Sequence, residues 1–310
     1  MIKLKLIELI IMKKFFKKLY KKFFKRHPLA LIGNFLYIFD FNGKITKKAI
    51  EKSFGSKKIN LIEKSLKLNF IWNYYQLNEG QRRKFNKQNI WGSFASSWHD
   101  LNEEQSRDIN SKRNEDKKNL FMPYLFSIIK NNNISRVCEI GTGKGLFFED
   151  LLKLKKDYPD LYFEGYDLNG KCIETAKARF KNHNIKFKEA DGISVLKKDL
   201  KEGINSKVYI LRGTLEYFSE IEIREFFNLV SKMNNTFIIL FEPINIDLDS
   251  TFESQPRGNL SYSHNYIYLA KNCGLNVISS KVQKIDNNLS LPFYSNIFAV
   301  LSSKNNRISN

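Results

Sequence analysis

The chain of 310 residues contains few cysteines and no long apolar run. Each of these two features excludes a class of structure. Its three cysteines, Cys138, Cys172 and Cys273, are widely spaced, and no Cys-x-x-Cys pair or Cys/His cluster occurs. The spacing therefore indicates neither a disulfide framework nor a structural zinc site. It predicts buried free thiols in a reducing, cytoplasmic setting. No run of about 18 apolar residues is present, so no membrane-spanning helix is expected.

Acidic residues are also scarce relative to basic ones. The chain has 52 Lys and Arg against 32 Asp and Glu, a formal net charge of +20. Residues 1–26 hold ten of the basic residues and a single acid, Glu8. Outside that segment Lys, Asn and Ile are abundant throughout, so compositional drift is the alternative explanation for the remaining basic charge.

The first predicted region, residues 1–26, is a basic amphipathic helix. Over residues 13–26 pairs of Phe, Leu or Tyr alternate with pairs of basic residues, which places the apolar side chains on one half of a helix. A Phe-rich face opposite a Lys face indicates a peripheral anchor on an anionic membrane surface. A helix packed on its own domain and a nucleic-acid arm are the alternatives. The pattern is complete without residues 1–11, so either Met1 or Met12 could be the start.

Two further regions follow. Residues 27–115 have helix-like apolar spacing and predict an irregular helical cap. From residue 116 to 310, strand and helix patterns alternate, which predicts a largely parallel sheet with helices on both faces. The predicted strands are 136–140, 162–166, 185–189, 208–211, 236–241, 276–281 and 296–302, and the predicted helices are 146–154, 171–180, 193–200 and 221–233.

The most informative stretch is Val-Cys-Glu-Ile-Gly-Thr-Gly-Lys-Gly, residues 137–145, with Asp167 at the end of the next strand. Glycines at alternate positions allow a tight turn between a strand and a helix, and the acid can reach a ribose held over the first strand. Position 146 is Leu, so the spacing is not that of a dinucleotide fingerprint. Glu139, two residues before the first glycine, suits a cationic ligand better than a phosphate.

Together with Tyr-Asp-Leu at 166–168 and Glu-Ala-Asp-Gly at 189–192, this stretch resembles the first motif of the class I S-adenosylmethionine-dependent methyltransferases. The resemblance covers about residues 135–303. It implies an α/β fold, with a Rossmann-like seven-stranded sheet, helices on both faces and an antiparallel last strand beside the fifth. It also implies S-adenosylmethionine as the cofactor.

The resemblance assigns roles to residues at the strand ends. Asp167 would bind the ribose hydroxyls, Asp191 the adenine amino group, and Glu139 the methionine end, while Gly192 leaves room for the adenine ring. The alternative role for Asp191 is a helix cap. The full cofactor-binding set predicted in this way is Glu139, Gly141, Thr142, Gly143, Gly145, Asp167, Leu168, Asp191, Gly192, Arg212 and Gly213.

The candidate catalytic residues are Glu216 and His264. Glu216 lies where small-molecule methyltransferases often have Leu-Glu-His, although Tyr217 replaces that histidine here. His264 is predicted at a helix start, where it could take a proton from a hydroxyl; a surface or capping role is the alternative. Arg212 either binds an anionic substrate or is exposed. No residue set has convincing metal-ligand spacing, so no metal is predicted.

The resemblance also suggests that the aromatic segment 91–100 forms a lid over the cofactor, with a helix stripe in the core as the alternative. The predicted activity is methyl transfer to a hydroxyl of a sugar, glycan, lipid-linked or other small molecule. No Asp-Pro-Pro-Tyr motif follows the fourth strand, which argues against methylation of amino nitrogens in nucleic acids. An RNA methyltransferase is the first alternative, and a non-catalytic membrane adaptor that retains the cofactor fold is the second.

Overall fold

The computed structural model describes residues 28–37, 40, 44–54, 59–86, 110–244, 254–258, 261–284 and 295–303. The predicted basic helix at 13–26 and the predicted lid at 91–100 lie outside these residues. The chain divides into two compact units, Met1–Arg82 and Arg83–Asn310. Among the described residues, no helix is long and apolar enough to cross a membrane.

The first unit is helical over its described residues. Its helices are α1 (Pro28–Tyr37), α2 (Lys44–Phe54) and α3 (Leu61–Gln76), and α4 (Glu79–Phe85) continues past the unit boundary. A Cβ on Gly33 of α1 would lie 2.0 Å from the carbonyl oxygen of Ser65 in α3. Helices α1 and α3 therefore approach each other too closely for a side chain at position 33. The helix-like spacing predicted from the sequence is thus present, whereas the role of the unit as a cap stays a prediction.

Beyond the end of α4, the described residues of the second unit form helix α5 (Asn110–Asn132) and a seven-stranded mixed sheet, among other elements. The strands of this sheet are β1 (Arg136–Ile140), β2 (Tyr162–Asp167), β3 (Ile185–Glu189), β4 (Lys207–Arg212), β5 (Thr236–Ile244), β8 (Asn276–Lys284) and β9 (Ser295–Ser302). Their order across the sheet is β3-β2-β1-β4-β5-β9-β8. Strands β1 to β5 are parallel, and β9 lies antiparallel between β5 and β8. The predicted fold class is confirmed, including the antiparallel last strand beside the fifth.

Of the helices predicted at 146–154, 171–180, 193–200 and 221–233, the last three are present and the first differs; α5 was not among the predicted helices. A single helix was expected over 146–154, but α6 is short and continues as a 3₁₀ turn, Leu152–Lys156. Another 3₁₀ turn, Leu215–Tyr217, follows β4. The α-helices after α5 are α6 (Phe148–Leu151), α7 (Gly170–Arg179), α8 (Gly192–Lys201), α9 (Glu220–Ser231) and α10 (Tyr266–Asn272).

A small hairpin follows β5, in a stretch for which no strand was predicted from the sequence. Strands β6 (Ser254–Gly258) and β7 (Ser261–His264) pair antiparallel, with a register irregularity between Pro256 and Gly258. The predicted strands omit β6 and β7 because these two strands contain Pro, Gly and Ser instead of an apolar alternation.

Apolar side chains cover both faces of the sheet. One layer, beneath α8 to α10, includes Tyr209, Phe226 and Phe227; the other, beneath α5 to α7, includes Phe121 and Phe163. All three cysteines are buried free thiols, as predicted.

A charged network is buried at the amino end of the sheet. Lys207, the first residue of β4, forms ion pairs with Glu164 of β2 and with Asp199 of α8, at 2.6 Å from Nζ to Oδ2 in the second case. The hydroxyl of Tyr209 donates to the same Asp199 oxygen at 2.6 Å. Burial disfavours the charge on Lys207, but the neighbouring carboxylates more than offset it and hold its pKa above the ordinary value. The network joins two strands and a helix.

Candidate functional site

The glycine turn after β1 has the backbone conformation that requires glycine. Gly141, Gly143 and Gly145 have φ values of 76°, 54° and 75°, in the left-handed region. The amides of Gly141 and Thr142 donate to the carbonyl oxygen of Tyr166 at 2.8 and 3.0 Å, which ties the turn to β2. The turn predicted from the sequence is therefore a fixed feature of the sheet's carboxyl edge.

The glycines also serve packing within the protein. A Cβ on Gly141 would lie 2.2 Å from Oγ1 of Thr214, whose hydroxyl donates to the carbonyl oxygen of Ile140 at 3.2 Å. A Cβ on Gly145 would lie 3.2 Å from Cβ of Ala176. The turn is consequently pressed against the segment after β4 and against α7.

Asp167 ends β2 beside the turn, as predicted. Its carboxylate accepts the amide of Gly143 at 2.8 Å through Oδ2 and the amide of Asn169 at 2.8 Å through Oδ1. The side chain is half-buried, and each carboxylate oxygen has a further lone pair. The arrangement leaves Asp167 able to accept hydrogen bonds from two neighbouring hydroxyls. Leu168, also half-buried, follows it directly.

Asp191 caps helix α8, the alternative that the sequence offered. Its Oδ1 accepts the amide of Ile193 at 3.2 Å. A Cβ on Gly192 would lie 2.7 Å from Cγ2 of Ile140, so the protein's own core also requires a residue without a side chain here. The role of Gly192 in leaving room for the adenine ring stays a prediction. The proposed adenine contact of Asp191 stays a prediction.

Glu139 does not stand alone at the end of β1. Nε and Nη2 of Arg212 donate to its Oε1 at 3.0 and 2.7 Å, and the hydroxyl of Thr142 donates to Oε2 at 2.9 Å. Burial raises the pKa of Glu139, while Arg212 acts in the opposite direction. The guanidinium carbon of Arg212 also lies 4.1 Å from the ring centroid of Phe147. Arg212 is only 19% exposed, so the exposed alternative is wrong.

Glu242, which is not among the site residues predicted from the sequence, organises the segment after β4. This fully buried side chain of β5 accepts the amides of Thr214, Leu215 and Glu216 at 3.0, 3.1 and 3.3 Å. Burial, reinforced by the charge of Glu216, raises its pKa to about 8, against the effect of the three amides. Within the same segment Gly213 has a φ of 64°. The sequence signal that could have identified Glu242 is an acidic residue directly after an apolar strand run.

The raised pKa of Glu242 predicts a pH-dependent stability. The ordinary value is 4.5 and the folded value about 8, so the native state holds this proton more tightly than the unfolded chain. The resulting stabilisation is complete below about pH 4.5 and is lost as the pH rises through about 8. The free energy of unfolding declines by about 1.4 kcal/mol for each unit by which the folded and unfolded pKa values differ. Glu242→Gln should flatten this decline.

Urea unfolding between about pH 5 and about pH 8.5 measures this slope. The exposed Glu202→Gln is the control, and its pH dependence should match that of the wild-type protein. Equal slopes for Glu242→Gln and the wild type would show that Glu242 does not titrate in this range.

His264 lies elsewhere than predicted. It is the last residue of β7, and helix α10 starts at Tyr266 with Asn265 as its cap, so the expected helix-start position is wrong. The side chain is completely buried and both ring nitrogens have hydrogen-bond partners. Within the residues that the structure describes, no group of His, Cys, Asp and Glu could hold a metal ion.

These features establish the fold of the second unit. The seven-stranded sheet, the antiparallel last strand beside the fifth and the glycine turn after β1 are those that the resemblance implied. The fold is that of a class I methyltransferase.

Comparison with known proteins found similar folds among solved structures. No protein-family model matches the chain, and no curated protein matches its sequence. Solved structures with a similar fold include a SAM-dependent methyltransferase from Leishmania major, with 18% identity and a TM-score of 0.41; the alignment covers 55% of this chain and 65% of that one. A Pyrococcus horikoshii OT3 protein has 18% identity and a TM-score of 0.44, with coverage of 65% and 99%. The magnesium protoporphyrin IX methyltransferase of Synechocystis PCC 6803, with bound SAM, has 14% identity and a TM-score of 0.39, with coverage of 58% and 76%.

Proposed function

We propose that the protein is an S-adenosylmethionine-dependent methyltransferase that acts on a hydroxyl of a sugar, glycan, lipid-linked or other small molecule. The observation that carries the proposal is the Glu139–Arg212 ion pair beside the glycine turn, with Asp167 at the end of the neighbouring strand. The amino-acid end of S-adenosylmethionine is a zwitterion, and its ribose presents two hydroxyls. Paired opposite charges suit the first, and a carboxylate suits the second.

The start of the first crossover helix argues against a dinucleotide. Dinucleotide sites direct a helix N-terminus at a pyrophosphate. Here α6 has only four residues, and Glu149 and Asp150 lie in its first turn. Two carboxylates at that position would repel a pyrophosphate.

The residues present therefore fit this cofactor, which when bound supplies an electrophilic methyl group on a sulfonium. Glu139 and Arg212 would hold its amino-acid end, and Asp167 its ribose. The remaining task of the chain is to align an acceptor and exclude water. Glu216, half-buried on the segment after β4, is the candidate to accept the proton of an acceptor hydroxyl.

The cofactor proposal predicts that Asp167→Ala abolishes measurable binding of S-adenosylmethionine and S-adenosylhomocysteine. Loss of a charged acceptor for two hydroxyls corresponds to roughly a hundredfold or more in affinity. Calorimetric titration of the purified protein with these two ligands and with NAD measures the effect. Asp160→Ala, at an exposed position just before the same strand, is the matched control. Equal affinity of both variants, or binding of NAD alone, would contradict the proposal.

The acceptor and the location form a separate part of the proposal. The basic amphipathic segment 13–26 supports a cytoplasmic protein peripherally attached to an anionic membrane surface, close to lipid-linked acceptors. Flotation of the full chain with anionic liposomes, and transfer of labelled methyl groups into glycan or lipid fractions, are the expected results. Binding to RNA that weakens steeply with salt, without flotation, would favour the RNA methyltransferase. Cofactor binding without label in any fraction would favour the adaptor.

A further inference from the structure

The imidazole of His264 connects two separate parts of the second unit. Its Nε2 lies 2.9 Å from the carbonyl oxygen of Phe218, and its Nδ1 lies 2.7 Å from Oγ of Ser254. A carbonyl oxygen only accepts hydrogen bonds, so Nε2 carries the proton and Nδ1 accepts the hydroxyl hydrogen of Ser254. These contacts assign a single neutral tautomer and use both ring nitrogens.

The surroundings of the ring favour this neutral form. His264 is 0% exposed, stacked on Tyr262 at a centroid distance of 5.6 Å and edge-on to Tyr266 at 5.4 Å. Burial lowers the pKa of His264 to about 4, although the backbone of Phe218 and Leu215 acts in the opposite direction. A ring whose lone pair is already engaged and whose basicity is reduced is poorly suited to accept a proton from a substrate.

The partner of this ring is the segment 214–218, whose first residue packs against the glycine turn of the proposed cofactor site. Thr214 at its start contacts the glycine turn, and Glu242 accepts the amides of its first three residues. Phe218 at its end is bound by His264. The segment is thus fastened at one end by a side chain of β5 and at the other by a side chain of the hairpin β6–β7.

We infer that His264 is a positioning residue that locks the segment 214–218 between the hairpin β6–β7 and the glycine turn. Ser254 completes the lock, because its hydroxyl fixes the tautomer that donates to Phe218. Through this connection the placement of the hairpin and the geometry of the cofactor edge depend on each other. The inference rests on the proposed function for the identity of the ligand, but the physical linkage does not.

The test compares four variants of the full chain, of which Ser254→Ala is described below. His264→Gln can still donate to Phe218, His264→Leu cannot, and Leu196→Ala removes a fully buried side chain from the same core layer without touching the lock. The amides of residues 214–218 all have hydrogen-bond acceptors, so their hydrogen exchange reports the order of the segment. Calorimetry with S-adenosylhomocysteine reports the cofactor edge.

In His264→Leu we expect exchange at 214–218 to accelerate about tenfold more than at the core strand β1, and affinity for S-adenosylhomocysteine to fall about tenfold. His264→Gln should restore most of both, and Leu196→Ala should change neither selectively. Ser254→Ala should loosen the segment in the same direction, and it keeps the test decisive if His264→Leu fails to fold.

Two results would overturn the inference. One is identical behaviour of His264→Gln and His264→Leu. The other is selective loosening of 214–218 in Leu196→Ala, which would make His264 an ordinary core residue. If the wild-type protein bound no S-adenosylhomocysteine while the exchange pattern appeared as expected, the proposed function would fail and the linkage would stand.

Discussion

Replacing Lys207 by methionine should lower the free energy of unfolding by roughly 3–5 kcal/mol, because it leaves buried charge without its partner. Lys207 and Glu164 are each 1% exposed, and Asp199 receives only the hydroxyl of Tyr209 once the ammonium is gone. Urea unfolding at neutral pH, with an unchanged m value, measures the loss. The present pairing holds the pKa of Glu164 down to about 2, against the effect of burial.

The matched control for this variant is Lys186→Met. Nζ of Lys186 lies 2.9 Å from Oε1 of Glu164, but the Lys186 side chain is 36% exposed. We therefore expect Lys186→Met to lower the free energy of unfolding by about 1 kcal/mol or less. The deficit of Lys207→Met should also shrink as the pH falls from 7 towards 4, because protonation of Glu164 removes buried charge that Lys207 no longer offsets. A cost no larger than that of Lys186→Met would mean that the network does not hold the amino end of the sheet.

Gly141→Ala should have the second large effect, because the new side chain would meet both backbone strain and a steric clash. Its φ of 76° is unfavourable for alanine, and the added Cβ would lie 2.2 Å from Oγ1 of Thr214. Strain and overpacking together predict a loss of roughly 2–4 kcal/mol of stability. Because Thr214 begins the segment that Glu242 holds, affinity for S-adenosylhomocysteine should fall as well. Thermal unfolding and calorimetry measure the two effects.

Gly203→Ala separates these two causes. Gly203 has a similar φ of 65°, and no atom lies within 4 Å of the position of its missing Cβ. It should therefore cost about 1 kcal/mol and leave ligand affinity unchanged. If Gly141→Ala were no more damaging than Gly203→Ala, the contact between the turn and Thr214 would have no energetic importance.

The strands of the sheet could be predicted because buried parallel strands are continuous apolar runs between turn residues. The hairpin β6–β7 could not be, since its residues are mostly small and polar and only tertiary packing buries Ser263 and His264. For the same reason the tautomer and the hydrogen-bond partners of His264 could not be predicted from the sequence.

The charge pairing at the site illustrates a different limit. Glu139 and Arg212 are 73 positions apart, and their meeting depends on the register of β1 against β4. Glu139 pairs with Ile210, which places Arg212 two residues further along on the same face. Both residues were predicted as site candidates from the sequence. Their pairing could not be predicted, because it depends on the register of β1 against β4.

The position of β9 has a consequence for synthesis of the chain. Strand β9 follows every other described strand in sequence, yet it lies inside the sheet, between β5 and β8. Until residues 295–302 have left the ribosome, β5 lacks its antiparallel neighbour and β8 has no place in the sheet. Both present open backbone edges during that interval, which are sites for pairing with other chains. Completion of the sheet is therefore a late, non-local event, and nascent chains that stop before β9 should depend on chaperones to stay soluble.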